Sequence, residues 1–313
     1  MSMMPVCELW VPDPSNAFLQ CTSACYVGYE DFGRQSHGVA FARGEGLPGR
    51  VWATRRPDLL ATLDAPSDFV RARAAADADL SVGLGLPVVC NDEVIAVMTF
   101  LFAQGPEPSG VFEIWGPSSD NRELTWRSGF YGQLEEIREV SLATTFAPGQ
   151  GLPGRVWQTR LPEIVDSLWQ NSTGEFVREE AAMVAGLTMG FALPVIHGGE
   201  VQSVAAVLST VDMPFAKVME VWLPNEDKTE LHKKSGYYGR YAKFTDDAQA
   251  TFKLGEGVPG QVWESKTPQL IHPLDEHSGF ARYQAAQSVD LTVAIGMPII
   301  EGDEVTAVIL LLN

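Results

Sequence analysis

Only four cysteines occur in 313 residues, and all of them, Cys7, Cys21, Cys25 and Cys90, fall in the first third of the chain. A disulfide scaffold would carry cysteines throughout, so that class is excluded, and a cytoplasmic or other reducing intracellular compartment is expected. Cys21 and Cys25 have no matching His or second Cys pair, which argues against zinc and for small apolar core residues. No apolar run reaches the ~18–20 residues of a membrane span, and no signal peptide precedes the first apolar stretch, so a soluble protein without membrane insertion is expected. Lysine is missing before Lys217, and the formal net charge is −18. That balance opposes binding to nucleic acid phosphates and to anionic lipid. Nothing physical accounts for the confinement of lysine to the last third.

What is present is a repeat. Gly44-Glu45-Gly46-Leu47-Pro48-Gly49-Arg50-Val51-Trp52 returns as Gly149-Gln150-Gly151-Leu152-Pro153-Gly154-Arg155-Val156-Trp157 and as Gly255-Glu256-Gly257-Val258-Pro259-Gly260-Gln261-Val262-Trp263. Gly46 and Gly151 are 105 residues apart, and Gly151 and Gly257 are 106 apart. That is the size of a small domain rather than of a solenoid unit of ~20–50 residues. Three domains are therefore expected: 1–104, 105–211 and 212–313. At 45% hydrophobic residues the chain can build globular cores.

The flanks repeat too. Cys7-Glu8-Leu9-Trp10, Phe112-Glu113-Ile114-Trp115 and Met219-Glu220-Val221-Trp222 each alternate around a Glu and run to a Pro (Pro12, Pro117 and Pro224), as a half-buried strand would. A second strand ends at Phe130-Tyr131 or Tyr237-Tyr238, and the first copy reads as degenerate there, with Cys21, Cys25 and Tyr26 instead. Phe69-Val70-Arg71, Phe176-Val177-Arg178 and Phe280-Ala281-Arg282 each open an Ala-rich helix. Each copy closes with a hairpin turning at Asn91-Asp92, Gly198-Gly199 or Gly302-Asp303. Pro87, Pro194 and Pro298 sit inside the first strand of that hairpin and call for an edge position or a bulge. The module reads β-β-helix-β-α-β-β, an antiparallel sheet with helices packed on it, which is the α+β class.

This ordered set resembles the GAF domain, a small-molecule sensory module related in fold to PAS, and the resemblance covers almost the whole chain, once per copy. It implies three tandem GAF-like domains acting as a small-ligand sensor or as a protein-interaction or scaffold subunit in signalling, with a small-molecule ligand, and a protein partner or homo-oligomer. Copies of about 105 residues are short for the family and leave out the long flanking helices that carry dimerisation and output there. The helices after Phe69, Phe176 and Phe280 contain no Cys for a covalent bilin, and the Asn-Lys-x-x-x-Phe signature of the cyclic-nucleotide-binding branch is missing. No cofactor is identified. The alternative is a thiol redox enzyme resembling free methionine sulfoxide reductase, using the cysteines of domain 1.

Each block also matches the Gly-x-Gly-x-x-Gly dinucleotide fingerprint. Pro at its fifth position and the lack of βαβ alternation favour a turn-and-helix start instead. Arg71, Arg178 and Arg282 stand near helix starts, where a cation opposes the helix dipole, so each calls for a carboxylate partner, with Glu8, Glu113 and Glu220 as candidates, or for an anionic ligand. The repeated Trp10, Trp115, Trp222, Trp52, Trp157 and Trp263 read as core. Trp126, Tyr131, Arg178, Tyr238 and Arg282 are the candidate ligand-pocket residues. The five histidines share no position between copies and no nucleophile elbow or Walker loop occurs, so a non-catalytic protein is expected.

Overall fold

Alternation along the repeated strands places one residue set inward and the next outward, and three six-stranded antiparallel sheets result. The structure, a computed structural model, describes residues 3–4, 6–65, 69–103, 110–168, 177–241 and 251–313. Domain 1 runs β1 (Val6–Pro12), β2 (Phe18–Cys25), α1 (Glu30–Ser36), β3 (Ala40–Ala42), α2 (Gly46–Thr54), β4 (Asp58–Leu60), α3 (Ala72–Asp77), β5 (Leu80–Cys90) and β6 (Glu93–Ala103), with sheet order β3-β2-β1-β6-β5-β4. Domain 2 repeats it with β7 (Val111–Pro117), β8 (Leu124–Phe130), α4 (Glu135–Ala143), β9 (Thr145–Phe146), α5 (Gly151–Thr159), β10 (Glu163–Val165), α6 (Glu179–Val184), β11 (Met189–His197) and β12 (Glu200–Ser209). Domain 3 follows with β13 (Val218–Pro224), β14 (Glu230–Tyr237), β15 (Thr251–Lys253), α7 (Gly257–Ser265), β16 (Gln269–Ile271), α8 (Tyr283–Ser288), β17 (Ala294–Glu301) and β18 (Glu304–Leu312).

Two kinds of element escape the sequence reading. α1 and α4 are real helices that bury two residues each, Phe32 and Ser36 or Ile137 and Ser141, too few to give a visible period. The strands β3, β9 and β15 span three residues or fewer, and they exist because β2, β8 and β14 offer them an edge. Phe176 lies outside the described residues.

The glycine block builds the turn from β3 into α2. Gly46 has φ +57°, open to glycine without strain, and Pro48 sits in the first turn of α2, where its missing N–H is not needed. A Cβ on Gly49 would lie 2.1 Å from the Ala42 carbonyl oxygen, so only glycine lets helix and strand approach this closely. The variable residue of the block has a task as well: Glu45, Gln150 and Glu256 accept hydrogen bonds from the N–H of Ala42, Ala147 and Lys253. At the other helix end Arg55, Arg160 and Lys266 close the helix in the left-handed conformation. Arg55 donates to the Asp92 carbonyl, Arg160 to the Gly199 carbonyl, and Lys266 pairs with Asp303, so each cation ties its helix to its own hairpin tip.

Pro87 lies past the short edge strand β4, which pairs only with Gly83–Gly85, and the register slips directly after it between Val88 and Val89. Pro194 and Pro298 are followed by the same slip, so each proline sits beside a bulge on a stretch of strand that the short edge strand does not pair with, its side chain buried.

The three sheets pack on one another. β5, β11 and β17 touch pairwise, and Leu84, Leu86 and Val88, Phe191, Leu193 and Val195, and Met297 and Ile299 belong to one apolar cluster running through all domains. The seams close cyclically: β4 packs on β7 and β8, β10 on β13 and β14, and β16 on β1 and β2. This head-to-tail contact returns to its start after three steps, as a closed ring must. At one end the hairpin tips meet, with Asn91 N–H donating to the Gly302 carbonyl at 2.8 Å and Gly198 N–H donating to the Asp92 carboxylate.

Candidate functional site

Each domain buries a carboxylate on its central strand, Glu8, Glu113 or Glu220, on the face covered by helices. The Arg that caps the following helix reaches it with both amino groups: Arg71 to Glu8 at 2.5 and 2.9 Å, Arg178 to Glu113 at 2.5 and 2.9 Å, Arg282 to Glu220 at 2.8 and 2.7 Å. Arg178 is 2% exposed and Glu113 1%, so water screens neither. The paired carboxylate anticipated at the helix start is therefore internal to the fold. Aromatic faces surround the guanidinium, with Trp115 and Phe146 at 5.4 and 5.5 Å from Arg178.

Tyrosine completes each cluster. Tyr26, Tyr131 and Tyr238 donate to the same carboxylates at 2.8, 2.9 and 2.9 Å, each 18 residues after its Glu. Trp115 and Trp222 donate Nε1–H to Glu113 and Glu220, and in domain 1 Thr99 Oγ1 stands between Trp10 and Glu8 at 3.0 Å from each. Ser36 and Ser141 accept from Arg71 and Arg178. Burial would raise the Glu8 and Glu113 carboxyls, but the facing guanidiniums and donors outweigh it and hold both below the usual carboxylate range. Burial and the carboxylate beside them push the Tyr26, Tyr131 and Tyr238 phenols up, so they stay protonated donors.

The candidate pocket residues are thus gathered, domain by domain, around one carboxylate. Trp126 donates Nε1–H to the Tyr131 hydroxyl at 2.9 Å, and Tyr131 and Arg178 both hold Glu113. Tyr238 and Arg282 do the same at Glu220, where Lys233 Nζ donates to the Tyr238 hydroxyl. The first copy is less degenerate than its sequence reads, because Tyr26 stands where Tyr131 and Tyr238 stand. The constant offset of 18 residues from Glu to Tyr was the available signal.

What differs is the cover. Opposite Trp10, Trp115 and Trp222 on the neighbouring strand lie Cys21, Trp126 and Lys233. Cys21 borders a cleft of about 440 Å³ between β2 and the α1–β3 segment, lined also by Thr22, Ala24, Tyr26, Ser36 and His37. Burial first, then Glu8, raises the Cys21 thiol to about 12, so it presents a neutral group to the cleft. A second groove, of about 340 Å³, follows the seam between domains 1 and 2 beside Arg56 and Arg127.

The four cysteines do not form one set. Cys21 faces the cleft, and Cys7 and Cys25 oppose each other on the outer face of the sheet. Cys90 pairs with Glu93 at the hairpin tip, seven residues along β6 from the Phe100 that pairs with Cys7, roughly 20 Å away at strand spacing. Among the described residues no three His, Cys, Asp or Glu side chains converge as metal ligands, and no helix is long and apolar enough to cross a membrane.

No protein-family model matches the sequence, and no curated protein matches it. Solved structures do. The GAF domain of A. aeolicus nlh2 in an inactive state is 24% identical, with 32% of this chain and 58% of that one covered and a TM-score of 0.27. NreA of Staphylococcus aureus, mutated in its nitrate binding site, is 14% identical over 33% of this chain and 75% of that one, with a TM-score of 0.28. The free methionine-R-sulfoxide reductase of Neisseria meningitidis, in complex with its substrate, is 12% identical over 32% and 52%, with a TM-score of 0.26. Likeness at this distance concerns fold and not activity, and the first of these matches spans little more than half of its counterpart. The thrice-repeated strand order, the helices on one face of each sheet and the ordered motifs make this chain three tandem GAF-like domains of the α+β class.

Proposed function

We propose that the protein is a non-catalytic ligand sensor whose binding site is the cleft of domain 1. The observation that carries this reading is the cleft beside β2, where Cys21 holds the position that Trp126 and Lys233 hold in the other domains and where Tyr26 and Ser36, both partners of the buried Glu8–Arg71 pair, reach the lining. Because Arg71 and Glu8 neutralise one another, the cleft offers hydroxyl, imidazole and backbone groups without net charge. An uncharged small molecule rich in hydrogen-bonding groups fits that lining. The raised Cys21 thiol argues against Cys21 as a nucleophile in the cleft, since a nucleophile works as a thiolate. A ring of three domains suits a sensor: a ligand that stiffens domain 1 acts directly on the seams with domains 2 and 3.

The scaffold reading needs an apolar face free for a partner, whereas the outer faces of the sheets are turned on one another. Native mass spectrometry of the full chain purified from its own source tests the choice. Wild type should carry a bound small molecule that the Cys21→Trp variant lacks. A wild-type chain that carries only a protein partner, or a ligand equally retained by Cys21→Trp, sinks the assignment.

A further inference from the structure

On the face of β1 and β2 opposite the cleft, the central pair of the sheet differs between domains. Phe112 faces Phe130 in domain 2 and Met219 faces Tyr237 in domain 3, both large apolar pairs. In domain 1 the same position holds Cys7 facing Cys25. Directly opposed residues of antiparallel strands have Cα atoms ~4.5–5.5 Å apart, inside the ~4.4–6.8 Å range that a disulfide spans. The pair lies at the seam where β16 of domain 3 covers β1 and β2, and Ser23, two residues before Cys25, donates to the Leu270 carbonyl at 2.8 Å. Both thiols are buried, at 3% and 4% exposure.

We propose that Cys7 and Cys25 form a reversible cross-strand dithiol/disulfide couple, a redox modification site on the domain 1–domain 3 seam that exchanges with low-molecular-weight disulfides. The chemistry is ordinary exchange. The Cys25 thiolate attacks one sulfur of the small disulfide, the S–S bond breaks, and one small thiolate leaves. Cys7 gives its proton to that thiolate and attacks the Cys25 sulfur, which expels the second small thiolate, and this takes up from solvent the proton that Cys25 released on ionising. Protein dithiol and disulfide thus become protein disulfide and two small thiols, with two electrons passed to the reagent.

The surroundings fit this order of events. Cys7 donates its S–H to Cys25, which lowers Cys25 to about 6 against burial, while the same bond and burial raise Cys7. His272 from domain 3 adds positive character beside Cys25, so the nucleophile is set by the neighbouring domain as well as by its own strand. Access requires the β16 seam to open, which ties the rate of exchange to domain contact rather than to surface exposure. This inference is independent of the ligand reading, because it uses the other face of the sheet.

The test is equilibration of the full chain in buffers of reduced and oxidised glutathione, followed by alkylation and peptide mapping without reduction. The expected product has lost two hydrogen atoms and contains one peptide linking Cys7 to Cys25, while Cys21 and Cys90 remain alkylated. A Cys21→Ser/Cys90→Ser variant, which keeps the pair, should give the same linkage, and hydrogen exchange at Gln269–Ile271 should change several-fold on oxidation. Full alkylation of Cys7 and Cys25 at the most oxidising poise, or linkage of either to Cys21 instead, overturns the proposal.

Discussion

Domains 1 and 2 share strand order, helix starts and the buried Arg–Glu pair, yet the position opposite the repeated Trp holds Cys21 in one and Trp126 in the other. Trp126 hydrogen-bonds Tyr131 beside Glu113, whereas Cys21 borders an open cleft while Glu8 beneath it stays fully buried. Domain 1 also adds Thr99 to its carboxylate, where domain 2 has Ala206 facing Glu113 across the strands. A repeated scaffold can therefore keep one ion-pair core for stability and vary its cover for function.

The largest effect should come from breaking the pair on each side. Arg178→Ala strands a buried carboxylate and should cost about 3–5 kcal/mol in urea unfolding. Arg71→Ala should cost less by about 1–2 kcal/mol, because Thr99 still donates to Glu8. Thr99→Val in the Arg71→Ala background should remove that margin. Equal costs for the two arginines would show that Thr99 contributes nothing to the difference.

Acid should act on both domains in an intermediate range. Glu8 and Glu113 are depressed from 4.5 in the folded chain, so the unfolded chain binds protons first as pH falls. Their contribution is complete above the unfolded value and is lost on descent through the folded one, so the urea midpoint should fall steadily below about pH 4.5. Replacing Glu113 and Arg178 together by Leu and Met should flatten part of that descent at little cost at neutral pH. An unchanged acid slope in that double variant would assign the effect elsewhere.

The smallest effect belongs to the seam. Arg160 and Glu301 join domains 2 and 3 at 2.9 Å, with side chains 32% and 38% exposed. Screening limits such a pair to about 0–1 kcal/mol, so Glu301→Gln should shift thermal unfolding by a few degrees at most, and less in high salt. A loss comparable to that of Arg178→Ala would mean that this seam, rather than the domain cores, sets the stability.

Much of the fold was legible because its signals are local. Glycine turns, alternating strands and hairpin tips each depend on a few neighbouring residues, and threefold repetition turned weak signals into a strong one. Even the Arg–Glu pairing could be anticipated, because a cation at a helix start requires a carboxylate. The Tyr partners were legible only in part: a first copy judged by its cysteines looked degenerate, while Tyr26 kept the offset that matters. The helices α1 and α4 were missed because each buries only two side chains, which gives periodicity little to register.

The sequence by itself determined three repeated α+β units and the residues of the glycine block and the hairpin tips, and it offered a candidate carboxylate for each arginine. Only the tertiary structure decided that the three sheets close into a ring, that Cys21 borders a cleft, and that Cys7 meets Cys25 beneath another domain. Local patterns follow from φ, ψ and the burial of one face, which adjacent residues dictate. Which side chain covers which, across strands and between domains, depends on register and packing over distances the chain order does not reveal.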